Sequence, residues 1–230
     1  MSYRYPDARI LIFSKAPLPG RVKTRLIPQL GEQGAAAFSA DLTRHIVQKV
    51  ADSQLCPLQI WCEPDGRHAL FQELHKAYGV ELKQQQGSDL GIRMGHALAD
   101  GLSTSRLVVL IGSDCPAMTA DYLEQALQVL VHGVSCVLGP AEDGGYVLVG
   151  QSVLNTDMFE TVDWGTMDVL HQTRLRLRAA GLPWSELPAL WDVDRFEDIA
   201  RARGLMDKRQ DAAGIRSASI RKDRLRRPAG

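Results

Sequence analysis

The 230-residue chain is 45% hydrophobic, long and apolar enough for one α/β domain with a real core, which excludes a disordered chain. Its formal net charge is zero, yet from Asp207 onward eight Lys or Arg face three Asp, so a tail of net +5 follows a body of about −5. No stretch is long and apolar enough to span a membrane, and the start, Met1-Ser2-Tyr3-Arg4-Tyr5-Pro6-Asp7, lacks the apolar core of a signal peptide.

Strand and helix patterns alternate along the body, which predicts βαβ units and a mostly parallel mixed sheet flanked by helices. Arg9 to Ser14 reads as the first strand, and a loop with Pro17, Pro19 and Gly20 follows. Ala35, Phe38, Leu42 and Ile46 mark the apolar face of a helix. Leu58 to Cys62 is a second strand, Ala69 to Ala77 a helix, and Val80 to Lys83 a short strand. A helix over Leu90 to Leu102 leads to the apolar run Leu107–Ile111, a buried parallel strand. A helix from Ala120 to His132, strands at Ser135 to Leu138 and Tyr146 to Val149, and a helix from Thr166 to Ala180 follow. The last helix runs from Arg195 to Arg203 and stops at Gly204. The body thus forms one domain over 1–206, followed by a basic, flexible tail over 207–230. Short basic tails are commonly solvated termini, so a nucleic-acid partner is not expected. Cys56, Cys62, Cys115 and Cys136 form no CxxC pair and no Cys/His cluster, which fits a reducing cytoplasm. The six His form no ligand cluster either.

Gly112-Ser113-Asp114-Cys115-Pro116 is the most informative segment. Asp114 ends a buried strand just before a new helix, which puts its carboxylate at the carboxyl edge of the sheet, where open α/β sheets bind ligands. A hard carboxylate there suits a divalent metal held against a nucleotide diphosphate. The first loop, Phe13 to Leu26, carries Lys15, Arg21, Lys23 and Arg25 within eleven residues beside Gly20, which allows close backbone approach. It contains neither GxxxxGK[ST] nor GxGxxG, so it is neither a P-loop nor a dinucleotide-binding turn. Asp89 suits a helix cap. Gly144 and Gly145, beside Glu142 and Asp143, form a tight backbone suited to a ligand or to a hairpin turn. Trp164 offers an apolar wall or a core side chain. In Leu190-Trp191-Asp192-Val193-Asp194 both acids are candidates for a second metal carboxylate, and Asp194 with Glu197 also has capping-box spacing.

The strings F-x-K-x-P-x-P-G-x-V-K-T-R-L, G-S-D-x-P and G-P-x-x-D-G-G-Y, spread over Arg9 to Leu205, resemble a bacterial family of GT-A-like glycosyltransferases. That family is related to molybdenum-cofactor guanylyltransferase and phospholactate guanylyltransferase, and some members are associated with arsenosugar biosynthesis. The resemblance implies a nucleotide-diphospho-sugar transferase fold and a Mg²⁺ or Mn²⁺ cofactor. It implies nucleotide contacts at Lys15, Gly20, Lys23 and Arg25, and at Gly87, Asp89, Gly91 and Arg93 in a Q-x-G-x-D-L-G-x-R-M pattern. It implies catalysis by Asp114 and Asp143, and an acceptor or sugar site at Gly144, Gly145 and Trp164. Metal would be held by Asp114 with Asp192 or Asp194. Arg195 and Phe196 depart from the family's usual D-x-D-T-P-E-D, which leaves the choice between Asp192 and Asp194 open.

The expected function is metal-dependent glycosyl transfer from a nucleoside diphosphate sugar to a small-molecule acceptor. The alternatives are a nucleotidyltransferase that uses an NTP and releases pyrophosphate, and a nucleotide-binding module without catalysis. The sequence leaves the base, sugar, acceptor and oligomeric state open.

Overall fold

The computed structural model describes residues 2–207; the basic tail expected beyond Asp207 lies outside the described residues. Seven strands form one sheet in the order β3-β2-β1-β4-β6-β5-β7. They are β1 (Ala8–Lys15), β2 (Leu58–Glu63), β3 (Glu81–Gln84), β4 (Leu107–Gly112), β5 (Cys136–Pro140), β6 (Tyr146–Gln151) and β7 (Trp184–Glu186). All neighbours pair parallel except those of β6, which runs against both β4 and β5. The expected mixed, mostly parallel α/β sheet is therefore the observed fold.

Helices α1 (Ile27–Ser53), α2 (Ala69–Tyr78), α3 (Leu90–Thr104), α4 (Ala120–Val131) and α5 (Val169–Ala180) cover the sheet, and α6, residues 196–207, packs against α1. Strands β1 and β4 alternate between two cores. Ile10, Ile12, Val109 and Ile111 pack into one, with side chains of α1, α2 and α4; Leu11, Val108 and Leu110 pack into the other, with side chains of α3 and α5. A strand buried on both faces needs an unbroken apolar run, which explains Leu107–Ile111. A third cluster joins Leu26, Phe38 and Leu42 to Trp191, Val193, Ile199 and Ala202, with Met206 packed against it. It fastens the C-terminal segment to the start of α1.

Three local expectations need correction. Helix α5 begins at Val169 rather than Thr166, because Thr166 is part of a turn in which its hydroxyl donates to the Asp163 carbonyl and accepts from Asp168 N. The three-residue edge strand β7 was not anticipated; it is too short to give a periodic signal. Helix α6 runs through Gly204 to residue 207. A helical glycine costs about 1 kcal/mol relative to alanine, and the packing of Met206 against the third cluster offsets it.

The chain lays β1, β2 and β3 outward in one direction, then returns to place β4 on the other side of β1. The crevice between the carboxyl ends of β1 and β4 is the topological switch point of the sheet. Because β6 is antiparallel to β4, its amino end lies at the same edge, which brings the turn after β5 there too. Beyond β7, Leu190 bridges to Ala141 and donates to the Pro140 carbonyl at 2.9 Å, so the following Trp191-Asp192-Val193-Asp194 reaches that edge as well. No helix among the described residues is long and apolar enough to cross a membrane.

Candidate active site

A cleft of about 750 Å³ opens at this edge. The first loop lines it with Lys15, Arg21, Lys23 and Arg25; facing segments supply Asp114, Asp143, Asp192, Asp194 and Arg195. Residues far apart in the chain thus meet in one cavity with cations and carboxylates interleaved.

Lys23 stands at the centre of this arrangement. Its backbone is left-handed (φ 47°, ψ 44°), a conformation unfavourable for a residue with a Cβ. Its ammonium donates to Asp114 Oδ2 at 2.9 Å and to the Val193 carbonyl at 2.6 Å, and the side chain is only 15% exposed. Val193 N in turn donates to the Asp114 carbonyl at 3.0 Å, so loop, strand end and C-terminal segment are bound together at one point. Arg25 makes a second link across the site, to Asp194. Burial pushes the Asp114 carboxyl up, but the charge and hydrogen bond of Lys23, with a smaller contribution from Lys15, more than offset it and hold it below the usual carboxylate range.

The Trp-Asp-Val-Asp segment obeys a two-residue alternation. Trp191 and Val193 are buried in the third cluster, so Asp192 and Asp194 both turn to the cleft. They differ in partners. Asp194 pairs with Arg25. Asp192 is pushed up to about 6, by burial first, then by the like charges of Asp114 and Asp143, with Lys23 pulling the other way. The helix that follows is capped from within by Asp198, whose carboxylate accepts from Asp194 N and Arg195 N. The capping-box acid is therefore Asp198, not Glu197, and the cap uses the Asp194 backbone while leaving its side chain on Arg25.

On the far wall, Asp143 lies exposed in a turn that its Oδ1 closes by accepting from Gly145 N at 3.0 Å. Gly144 has φ +91°, and a Cβ there would come within 2.2 Å of the Met167 carbonyl. Leu170 N donates to the Gly144 carbonyl. The Asp143 turn and the 163–168 strap are thus docked backbone to backbone. Trp164 lines the cleft from this strap, edge-on to Tyr146 with ring centres 6.4 Å apart and also against Phe159.

Of the residues expected at the site, Lys15, Lys23, Arg25, Asp114, Asp143, Gly145, Trp164, Asp192 and Asp194 line the cleft. Gly20, Gly87, Asp89, Gly91, Arg93 and Gly144 are not among its lining and have structural positions. Asp89 caps α3 by accepting from Ile92 N at 2.9 Å. Arg93 Nε donates to the Gly87 carbonyl and closes that loop. Gly91 is buried where a Cβ would come within 2.7 Å of Trp164, so it lets the indole lie against α3. Gly20 turns the first loop with φ +75°. Gln85, the glutamine of the Q-x-G-x-D-L-G-x-R-M pattern, lines the cleft, and Tyr146 and Met167 line it without having been singled out. Lys49 was missed altogether. It is buried, and donates to the Pro116 and Met118 carbonyls at 2.8 and 2.7 Å, holding the turn that follows Asp114. Its position three and seven residues after Ile46 and Leu42, on the apolar face of α1, was the signal.

Residues 46–166, more than half of the chain, match the family described as "Uncharacterized protein conserved in bacteria (DUF2064)". No curated protein matches the sequence. The structure is similar to that of a "putative nucleotide-diphospho-sugar transferase" from Desulfovibrio desulfuricans G20, with 34% identity, 83% of each chain covered and a TM-score of 0.74. Its fold is shared with 4-diphosphocytidyl-2C-methyl-D-erythritol synthase from Anaerococcus prevotii DSM 20548, at 10% identity, 88% and 99% coverage and a TM-score of 0.59. It is shared also with glucosyl-3-phosphoglycerate synthase from Mycobacterium tuberculosis, solved with Mn²⁺, uridine diphosphate and glucosyl-3-phosphoglycerate, at 10% identity, 88% and 76% coverage and a TM-score of 0.50. Nucleotidyl and glycosyl transferases both occur on this architecture. By the extent of the family match and the 34% identity to a solved relative over most of its length, this chain belongs to the DUF2064 family of bacterial proteins.

Proposed function

We infer that this chain is a metal-dependent glycosyltransferase that uses a nucleoside diphosphate sugar and a small-molecule acceptor. The observation that carries the reading is the meeting, in one cleft, of the strand-end carboxylate Asp114 with Asp192, the cationic first loop, and the Asp143–Trp164 wall. Among the described residues no three His, Cys, Asp or Glu are grouped to hold a metal by themselves. Two carboxylates are nevertheless enough for Mg²⁺, whose remaining ligands are water and phosphate oxygens. Burial first, and then the like charges of Asp114 and Asp143, raise Asp192, and a cation between Asp192 and Asp114 would offset the cost of both. Asp192 is therefore the better second ligand, since Asp194 is committed to Arg25.

Mg²⁺ or Mn²⁺ bound there would neutralise charge on the departing diphosphate. Lys15 and Arg21, which have no ion-pair partner among the described residues, line the same cleft and would bind its phosphates. Trp164 would hold the sugar or acceptor by its face. Asp143 would take the proton from the acceptor hydroxyl as that oxygen attacks the anomeric carbon and the bond to the diphosphate breaks. The similar D. desulfuricans protein, named for nucleotide-diphospho-sugar transfer, supports this choice of donor.

The second reading is nucleotidyl transfer from an NTP with release of pyrophosphate, since four cations in one loop would also suit a triphosphate. The fold is equally used for that chemistry. Thermal stabilisation against NTPs, NDPs and NDP-sugars, with Mg²⁺ or Mn²⁺ and with chelator, tests both. Metal-dependent stabilisation by one NDP-sugar, followed by NDP release on turnover, is expected. Stabilisation by an NTP with pyrophosphate release would replace the first reading with the second; tight nucleotide binding without product from any acceptor would leave a binding module. A soluble cytoplasmic setting is part of the proposal, in keeping with four buried, unpaired cysteine thiols.

A further inference from the structure

The Lys23-Thr24-Arg25 segment spends both of its cations on the acidic groups opposite it. Lys23 holds Asp114 Oδ2 and the Val193 carbonyl, and Arg25 holds Asp194. A cation bound by Asp114 and the Lys23 ammonium would compete for the same carboxylate charge. A lysine committed in this way is also not available to a phosphate. Its left-handed backbone costs about 1–2 kcal/mol for a residue with a Cβ, and these contacts, together with the Leu26 N hydrogen bond to the Lys23 carbonyl at 2.8 Å, hold it there. Their loss would let the segment relax away from Asp114.

We propose that Lys23 is the resident counter-cation of the metal site: it neutralises Asp114 while the site is unloaded, is displaced when a divalent cation binds, and is thereby handed to the nucleotide's diphosphate. The proposal rests on the metal reading of the preceding subsection. It makes metal and diphosphate bind synergistically, because each favours the state in which Lys23 has left Asp114. It also gives Lys15 and Arg21 a different part: with no ion pair to break, they meet the phosphates first.

The test is Mn²⁺ binding without nucleotide, measured by calorimetry for the wild type, Lys23→Met, Lys23→Arg and Lys15→Met, with thermal unfolding to confirm that each variant is folded. Removing the competing ammonium is expected to tighten Mn²⁺ binding about fivefold in Lys23→Met, whereas Lys23→Arg and Lys15→Met stay within about twofold of the wild type. In the wild type, Mn²⁺ alone is expected to raise the rate at which a small N-hydroxysuccinimide ester acylates Lys23, read by mass spectrometry. Unchanged or weaker Mn²⁺ binding in Lys23→Met overturns the proposal. So does an equal gain in Lys15→Met, which would reflect the general field rather than the contact. So does unchanged Lys23 reactivity in the metal-bound wild type. Absence of Mn²⁺ binding in both the wild type and Lys23→Met is a separate result, and sinks the metal reading itself.

Discussion

Asp114 and Asp192 share a cleft and have opposite electrostatic fates, and what separates them is the direct hydrogen bond that Lys23 makes to Asp114. Lys23 donates to Asp114 and holds it ionised below the usual carboxylate range, while Asp192, half-buried and repelled by Asp114 and Asp143, rises to about 6 from an ordinary 3.8. The signs of the resulting pH effects are opposite. A carboxyl raised in the folded state adds stability that is complete below pH 3.8 and is lost as pH rises toward 6. Asp192→Asn in the chelator-treated protein should therefore raise the Tm at pH 8 by about 2–4 °C, on the order of 1 kcal/mol, and leave it nearly unchanged at pH 4. An equal shift at both pH values would mean that charge is not the cause. Asp114 contributes in the other direction, with stability present above its ordinary range and lost only in stronger acid. Asp114→Ala should abolish metal-dependent stabilisation by nucleotide while the fold survives; nucleotide binding that is indifferent both to this change and to chelator would remove Asp114 from the metal site.

At the scale of elements, the site depends on two backbone contacts that no side-chain pattern announces. One is the docking of Gly144 under the Met167 carbonyl, which sets the Asp143 turn against the Trp164 strap. Alanine there meets both a 2.2 Å clash and a φ of +91°. Gly144→Ala should lower stability by about 2 kcal/mol or more, and should weaken acceptor-dependent turnover more than nucleotide binding, because the nucleotide loop lies on the other side of the cleft. Equal loss of both would place the strap in the nucleotide site. The other contact is Val193 N to the Asp114 carbonyl, which registers the C-terminal segment against the end of β4. Sequence reasoning reached the elements themselves well. The apolar runs and 3.6-residue spacings marked β1, β2, β3, β4, β5, β6 and all the long helices. It lost β7, whose three residues carry no period, and it stopped α6 at Gly204, because the packing of Met206 that carries the helix onward is a tertiary contact.

For the whole molecule, the sheet order decides where function can reside. Reversal of strand order at β1 and β4 opens a crevice at their carboxyl ends, and the reversed β6 brings the β5–β6 turn to the same edge. The third apolar cluster then fastens Trp191 and Val193 so that Asp192 and Asp194 complete the opposite wall. Since Met206 packs against that cluster, the domain proposed over 1–206 is expected to stand without the basic tail. A chain ending at Asp207 should keep the Tm within about 2 °C and retain nucleotide-dependent stabilisation. Loss of either would make the tail part of the domain.

The sequence by itself determined the α/β class, the strand-end position of Asp114, the cationic first loop and the pairing of acids in Trp191-Asp192-Val193-Asp194. Each of these is written in local spacing, as a run, a period or a turn residue. Only the tertiary structure decided which of the charged groups neutralise one another. It paired Lys23 with Asp114 and Arg25 with Asp194, left Asp192 exposed to like charge, and assigned Asp89 and Arg93 to the architecture of α3. Charge pairing depends on distance in space, across 91 residues for Lys23 and Asp114 and 169 for Arg25 and Asp194, and a linear pattern carries no measure of that distance.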